Sequence, residues 1–300
     1  MPEDWAALWD DLLQTRAAPR AAGPMAAELK ADAAQRWRPA SPCSAASAAW
    51  LELYRPLLDA RQASAQPGAR PWVLAQLGQS LDGCVATASG DSYFVTGAHS
   101  LLHLHRLRAL CDAVLVGAAT VAVDNPQLTT RRVPGPQPVR VVLDPAARLD
   151  GSARLLRDGT APTLWLCDSR HAEAARQRLA GGSAEVLAVD GLMDVTDVAR
   201  GSHLVRAFTA LAGRGLRVVL VEGGGVTVSR CLEAGVLDRL HLVIAPVIIG
   251  AGRRGLQHPG PARMVDCPRP PARRLAMGDD MLWDLDLRAE TAVAAASGPT

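Results

Sequence analysis

Gly117-Ala-Ala-Thr-Val-Ala-Val-Asp-Asn-Pro-Gln-Leu-Thr-Thr-Arg131 follows an apolar run, Ala113 to Val116, that reads as a buried strand. A glycine leaving a strand, then a hydroxyl, a carboxylate, a rigid Asn-Pro turn and an arginine, is not core chemistry. The stretch reads as a loop at the carboxyl end of a strand, where open α/β sheets place their ligands. A second place of this kind is Val218-Val-Leu-Val-Glu-Gly-Gly-Gly225, which passes from a strand into a helix. Two polar loops on one parallel sheet predict a site for an anionic ligand.

Outward from these loops the pattern stays α/β. Trp72 to Leu77, Cys84 to Ala86, Val139 to Leu143, Thr163 to Cys167, Ala184 to Val189, Arg217 to Val221, Leu240 to Val247 and Met281 to Leu287 read as strands. Pro246 puts the end of its run at a strand end or an edge. Leu101 to Cys111, Arg170 to Leu179, Leu204 to Ala212 and Thr227 to Ala234 read as helices, the last closed by Gly235. Strands alternating with helices argue for a mainly parallel sheet covered on both faces. Residues 1–70 differ. Trp5, Leu8, Trp9 and Leu12, then Trp50, Leu53, Tyr54, Leu57 and Leu58, predict two amphipathic helices in a helical and linker extension. Their tryptophans are expected to serve packing. Residues 71–288 form the main domain, and 289–300 read as a disordered tail.

Composition narrows the function. A net charge of +2 gives no electrostatic case for nucleic acid. The basic residues are nearly all arginine, with Lys30 the lone lysine. None of the six cysteines forms a C-x-x-C pair, so reduced thiols are expected. No apolar segment reaches the roughly 18 residues of a membrane span, and the start lacks a signal pattern. A cytoplasmic protein is the expectation.

Glu222-Gly-Gly-Gly225 offers backbone approach to a phosphate at a helix N-terminus, although the full G-x-G-x-x-G fingerprint is absent. A carboxylate at the tip of a buried strand also needs donors, from backbone or ligand. Thr120 could donate to a phosphate, Asp124 could accept from a ribose hydroxyl, and Arg131 and Arg132 supply charge suited to phosphate. Ser92 is either a ligand contact or turn chemistry, and Arg108 taken alone reads as a solvated helix arginine. His171-Ala-Glu173 mimics the start of a zinc deaminase motif, but no Pro-Cys-x-x-Cys follows, so no metal site is expected. Ser229 has no nucleophile elbow around it.

Four motifs then occur in order: Pro71-Trp-Val-Leu-Ala-Gln-Leu-Gly-Gln-Ser-Leu-Asp-Gly83, Ala88-Ser-Gly-Asp-Ser92, Ala119-Thr-Val-Ala-Val-Asp-Asn-Pro-Gln-Leu-Thr-Thr-Arg131 and Val221-Glu-Gly-Gly-Gly225. Over residues 70–288 the chain resembles the pyrimidine reductase of riboflavin biosynthesis, the C-terminal half of the bifunctional deaminase–reductase. The resemblance implies a dihydrofolate-reductase-like fold, NADPH as cofactor and a homodimer. It implies NADPH contacts at Gly78, Phe94, Thr120, Asp124, Gly224, Gly225, Val226, Thr227, Val228, Ser229 and Arg230. Substrate contacts would be Gln76, Ser92, Arg108, Leu128, Arg131 and Glu222, with Glu222 and Asp124 positioning the reacting groups. The substrate implied is a ribosylaminopyrimidine 5′-phosphate reduced at C1′ of the sugar, with Arg108 and Arg131 on its phosphate. The 2′-phosphate of NADPH would need an arginine, from among Arg148, Arg170 and Arg230.

Two departures stand out. Residues 1–70 are too short for a deaminase domain and lack its zinc ligands, so a separate deaminase is expected. Gln76 stands where the family commonly has lysine, and Asn125 where it often has aspartate. Glutamine can hydrogen-bond a carbonyl but supplies no cation. Gln76 therefore keeps open a related pterin- or pyrimidine-like substrate. With the N-terminal region, it also keeps open an NADP-binding module without turnover.

Overall fold

A computed structural model describes residues 2–17, 37–39, 42–63, 68–93, 95–194 and 201–288. Phe94 and the 289–300 tail lie outside the described residues, as does most of the segment between the first two helices. The elements run α1 (Trp5–Ala17), α2 (Ala45–Gln62), β1 (Trp72–Ser80), β2 (Cys84–Ala86), α3 (Ala98–Leu110), β3 (Ala113–Gly117), α4 (Ala118–Asp124), β4 (Val139–Leu143), α5 (Arg154–Arg157), β5 (Thr163–Asp168), α6 (Ala172–Leu179), β6 (Glu185–Val189), α7 (Ser202–Gly213), β7 (Val218–Glu222), α8 (Gly225–Glu233), β8 (Arg239–Ala245), β9 (Arg253–Arg254), β10 (Ala272–Met277) and β11 (Asp280–Asp286).

One nine-stranded sheet runs β10-β11-β8-β1-β7-β3-β4-β5-β6. The strands from β8 to β6 pair in parallel, and β11 and β10 add an antiparallel edge. Burial follows from this order. Central β7, Val-Val-Leu-Val-Glu, is buried at all five positions, as a strand covered on both faces must be. Edge β10 alternates between exposed and partly buried, and β6 is at most half-buried. Helices α1, α2, α3 and α6 share one apolar core with Leu74, Val114, Val142, Leu220 and Val243. The opposite core joins Val73, Ala75, Leu115, Val219 and Val221 to α7 and α8. The two N-terminal helices thus lie on the sheet's own core, through Trp5, Trp9, Leu12, Leu53, Tyr54 and Leu57.

Two local expectations are corrected. Residues 118–124, read as loop, form α4. Ala118 and Ala119 favour a helix, and it stops at Asn125, whose φ of +40° is a left-handed cap before Pro126. Ala272–Met277, not anticipated, is a strand. Its Ala-Arg-Arg-Leu-Ala-Met sequence has little intrinsic strand preference, and pairing with β11 across Gly278 specifies it instead. Pro246 falls directly after β8 ends, although β8 is an inner strand.

Candidate active site

β3 and β7 are parallel neighbours, so the two loops quoted above emerge side by side. They are stitched together: the Gly224 N–H donates to Thr120 Oγ1 at 3.1 Å. The approach is close enough to demand glycine. A Cβ on Gly117 would lie 2.5 Å from Thr227 Oγ1, and one on Gly225 would lie 1.8 Å from the Gly255 carbonyl oxygen. Helix α8 starts at Gly224 with no side-chain cap, which leaves first-turn N–H groups for an anion. Within its first turns, Val226 is exposed and Thr227 half-buried, and Arg230 is exposed. Val228 is in the core, and the Ser229 hydroxyl accepts the Gln257 N–H at 2.8 Å. The Ser229 side chain therefore anchors the segment after β9 rather than standing open to a cofactor. Gly78 lets β1 pass under Thr96, where a Cβ would meet the threonine methyl at 2.6 Å. Asp124 ends α4 in an exposed position. Partial desolvation raises its carboxyl above the usual range, with Arg253 opposing.

The other half of the site is made of side chains. Glu222 is the last residue of β7 and 7% exposed. Arg108, 6% exposed on α3, grips it with both prongs: Nε to Oε1 at 2.7 Å and Nη2 to Oε2 at 2.6 Å. Its Nη1 donates to the Thr129 carbonyl at 3.0 Å. Arg108 is therefore neither a solvated helix arginine nor an open phosphate clamp. A buried carboxylate needs such a partner, and the guanidinium fork fits it in two parallel bonds.

The Glu222 position lines up across the sheet with other polar groups. Gln76 pairs with it on β1, His241 with Gln76 on β8, Asp284 with His241 on β11, and Arg273 with Asp284 on β10. His241 Nδ1 meets His103 Nε2 at 3.1 Å, and His103 Nδ1 meets the Tyr54 hydroxyl at 2.8 Å. Burial holds both imidazoles below their ordinary range, neutral at physiological pH. Gln76 is 8% exposed, and its Oε1 is buried with no partner among the described residues.

The loop leading to β4 is held at successive backbone groups. Gln137 accepts the Thr130 N–H at 2.7 Å and donates to its carbonyl at 2.8 Å. His105 Nδ1 accepts the Arg131 N–H at 3.1 Å. Burial, then the positive Arg108, Arg131 and Arg132, push His105 down to about 3, so it is a neutral acceptor at Nδ1. Leu128, at φ +54°, turns its side chain into the core and leaves only backbone to the site. Arg131 and Arg132 stay exposed. Desolvation lowers the Arg131 pKa, and repulsion from Arg108 and Arg132 adds to it, with Glu222 opposing. Ser92 is exposed on the turn after β2. Of the three candidates for a 2′-phosphate, Arg170 is committed to Asp168 and Asp194, while Arg148 and Arg230 are exposed.

Glu173 pairs with Arg176 on the α6 surface, and no group of three His, Cys, Asp or Glu is placed to hold a metal among the described residues. All six cysteines are free, four of them buried. No helix among the described residues is long and apolar enough to cross a membrane. A cavity of about 480 Å³ beside the end of β8 is lined by none of the expected site residues. His105, Gln137 and His241 were not anticipated. The available signal was the run of His103, His105, Arg106 and Arg108 inside a leucine-rich helix, more polar groups than a solvated stripe would explain.

The family model of the RibD C-terminal domain matches residues 71–269. The chain is 33% identical over 225 residues to the 2,5-diamino-6-ribosylamino-4(3H)-pyrimidinone 5′-phosphate reductase of Methanothermobacter thermautotrophicus, covering 73% of this chain and 99% of that protein. It is 34% identical over 184 residues to the riboflavin biosynthesis protein RibD of Aquifex aeolicus, covering 61% of this chain and 48% of that one. The chain thus spans about half the length of that relative. Among solved structures, the Thermotoga maritima diaminohydroxyphosphoribosylaminopyrimidine deaminase/5-amino-6-(5-phosphoribosylamino)uracil reductase shares 26% identity at a TM-score of 0.58, over 72% of this chain and 56% of that one. Acinetobacter baumannii RibD shares the fold at a TM-score of 0.62 and 24% identity, over 80% of this chain and 63% of that one.

Proposed function

Because the chain belongs to the RibD C-terminal domain family, whose relatives are named reductases of riboflavin biosynthesis, we propose that it reduces a ribosylaminopyrimidine 5′-phosphate with NADPH. The observation that carries the reading is the buried Arg108–Glu222 pair set beside the exposed, crowded Arg131 and Arg132. A polar floor and a cationic rim fit a ligand with a hydroxylated sugar and a phosphate.

The residues present fit a dinucleotide. Gly223 and Gly224 leave the carboxyl end of β7 uncrowded, with nothing nearer a Cβ there than Thr120 Oγ1 at 3.5 Å, and the uncapped start of α8 faces the same end. That start would hold the pyrophosphate, Asp124 would accept from a ribose hydroxyl, and β1 at Gly78 would flank the ring. Arg170 is taken by two carboxylates, which leaves Arg148, exposed in the turn after β4, and Arg230, exposed on α8, for the 2′-phosphate. Bound there, the cofactor supplies hydride to C1′ of the opened sugar.

The chain's own groups orient the acceptor. Glu222 keeps lone pairs beyond those given to Arg108 and can accept from a sugar hydroxyl. Gln76 Oε1 has no partner among the described residues, so a substrate N–H or O–H would complete it. Arg131 and Arg132 would take the phosphate. The Arg108 side chain acts through Glu222 and Thr129.

The test is NADPH oxidation at 340 nm with the deaminated pathway intermediate and, separately, its diamino precursor. Turnover of either is expected. The preferred one fixes whether reduction precedes deamination. NADPH binding without turnover of either substrate would move the reading to a related pyrimidine- or pterin-like substrate.

A further inference from the structure

Five backbone groups of the loop between Thr129 and Pro134 have side-chain holders. Arg108 takes Thr129 O, Gln137 takes Thr130 N and O, and His105 takes Arg131 N. The fifth comes from outside the family-matched span. Trp9 on α1, 4% exposed, donates its indole N–H to Pro134 O at 3.0 Å. The loop is pressed onto the same surface at the next residue. A Cβ on Gly135 would lie 2.7 Å from Ala109 Cβ on α3 and 3.3 Å from Leu13 Cδ2 on α1.

The same N-terminal helices grip α3, which carries the other holders. The Arg106 guanidinium lies over the Trp5 ring at 4.8 Å and near the Trp50 ring at 5.5 Å. Arg16 donates to the Cys111 carbonyl at the end of α3, and Arg61 pairs with Asp112 beyond it. Asp112 in turn accepts the N–H groups of Arg217 and Val218, where β7 begins its run to Glu222. These contacts of α1 and α2 thus land on α3 and on the start of β7, the two elements that carry Arg108 and Glu222.

We propose that the N-terminal helices are a positioning element of the reductase site, and that Trp9 is a positioning residue which sets the place of Arg131 and Arg132. The proposal rests on the reading that this loop receives the substrate phosphate. The indole ring supplies packing, and its N–H supplies register. A ring without the N–H separates the two roles.

Trp9→Phe keeps an aromatic ring and removes the donor. The expected result is a KM for the phosphorylated substrate raised about fivefold, the scale of one lost hydrogen bond to a loop carbonyl. The kcat stays within about twofold and NADPH affinity is unchanged. Amide exchange, read without substrate, speeds up across 129–136 and stays slow in α3. Phe208→Leu is the control: it thins the opposite core at α7, lowers the melting temperature and leaves KM and loop exchange alone. Should Trp9→Phe fail to fold, Gly135→Ala lifts the loop off the same α1–α3 surface and predicts the same KM shift. Equal loop exchange in Trp9→Phe and the unaltered protein, or matching changes in Trp9→Phe and Phe208→Leu, would overturn the proposal. Failure of the unaltered protein to turn over substrate would defeat the functional reading, leaving the exchange result to stand or fall alone.

Discussion

Where β3 and β7 end, the half of the site proposed for the cofactor is backbone: glycines, an uncapped helix start and one threonine hydroxyl. A few residues away, the half proposed for the substrate is side chains reaching in from α1 and α3 and from the loop itself. The first half is written in contiguous sequence, because turns crowded by Thr227 and by the Gly255 carbonyl need glycine at the strand ends themselves. The second half is assembled from chain positions more than a hundred residues apart. The two halves should therefore fail differently when altered.

Arg108→Ala strikes the side-chain half hardest. It leaves Glu222 buried without its cation and the Thr129 carbonyl without a donor. Breaking a buried pair costs about 3–5 kcal/mol, so urea unfolding should show a loss of that order and turnover should vanish. Near-normal stability would mean that Glu222 is solvated in solution, and the contrast between the halves would collapse.

Gly225→Ala attacks the backbone half. Its methyl would run into the Gly255 carbonyl, and overpacking of this kind costs about 1–3 kcal/mol. NADPH affinity, followed by fluorescence titration, should weaken about tenfold, while amide exchange in the 129–136 loop stays as it was. A change in that loop would show the two halves to be coupled.

The smallest effect is a pH slope. Folded His105 is held to about 3 against an ordinary value of 6.5. From pH 6.5 down to about 3, the unfolded chain takes up a proton that the folded one refuses, so stability falls with pH through that window. His105→Asn should flatten the fall in melting temperature between pH 7 and pH 4.5. The slope from His103 and His241, lowered for the same reason, should remain. An unchanged slope would place His105 in contact with water.

The same contrast explains what the sequence disclosed. Strands β3, β4 and β7 were legible because each is a short apolar run buried on both faces. The Glu222 and Gly224–Gly225 positions were legible because a carboxylate and glycines at a strand tip have few structural uses. Arg108 was placed at the site by resemblance, but its partner Glu222 lies 114 positions away, so a phosphate role looked reasonable. Trp9 read as packing, which it is, yet its N–H reaches a carbonyl 125 positions away that no local pattern announces. Val228 and Ser229 belong to the right helix. Its 3.6-residue turn points them to the core and to Gln257. β10 was lost because its identity lies in its partner strand.

The row Arg273–Asp284–His241–Gln76–Glu222 crosses five adjoining strands on a face otherwise lined by Leu74, Leu220, Val243 and Leu282. Side chains alternate along a strand, so a shift of one residue swaps its two faces. A slip of β8 by one place would turn His241 toward the apolar side that holds Leu240, away from both His103 and Asp284. A slip of β1 would do the same to Gln76. The row works as a vernier scale: its marks coincide only when all five strands are in step. An assembly error far out on the antiparallel edge would therefore be felt at Glu222.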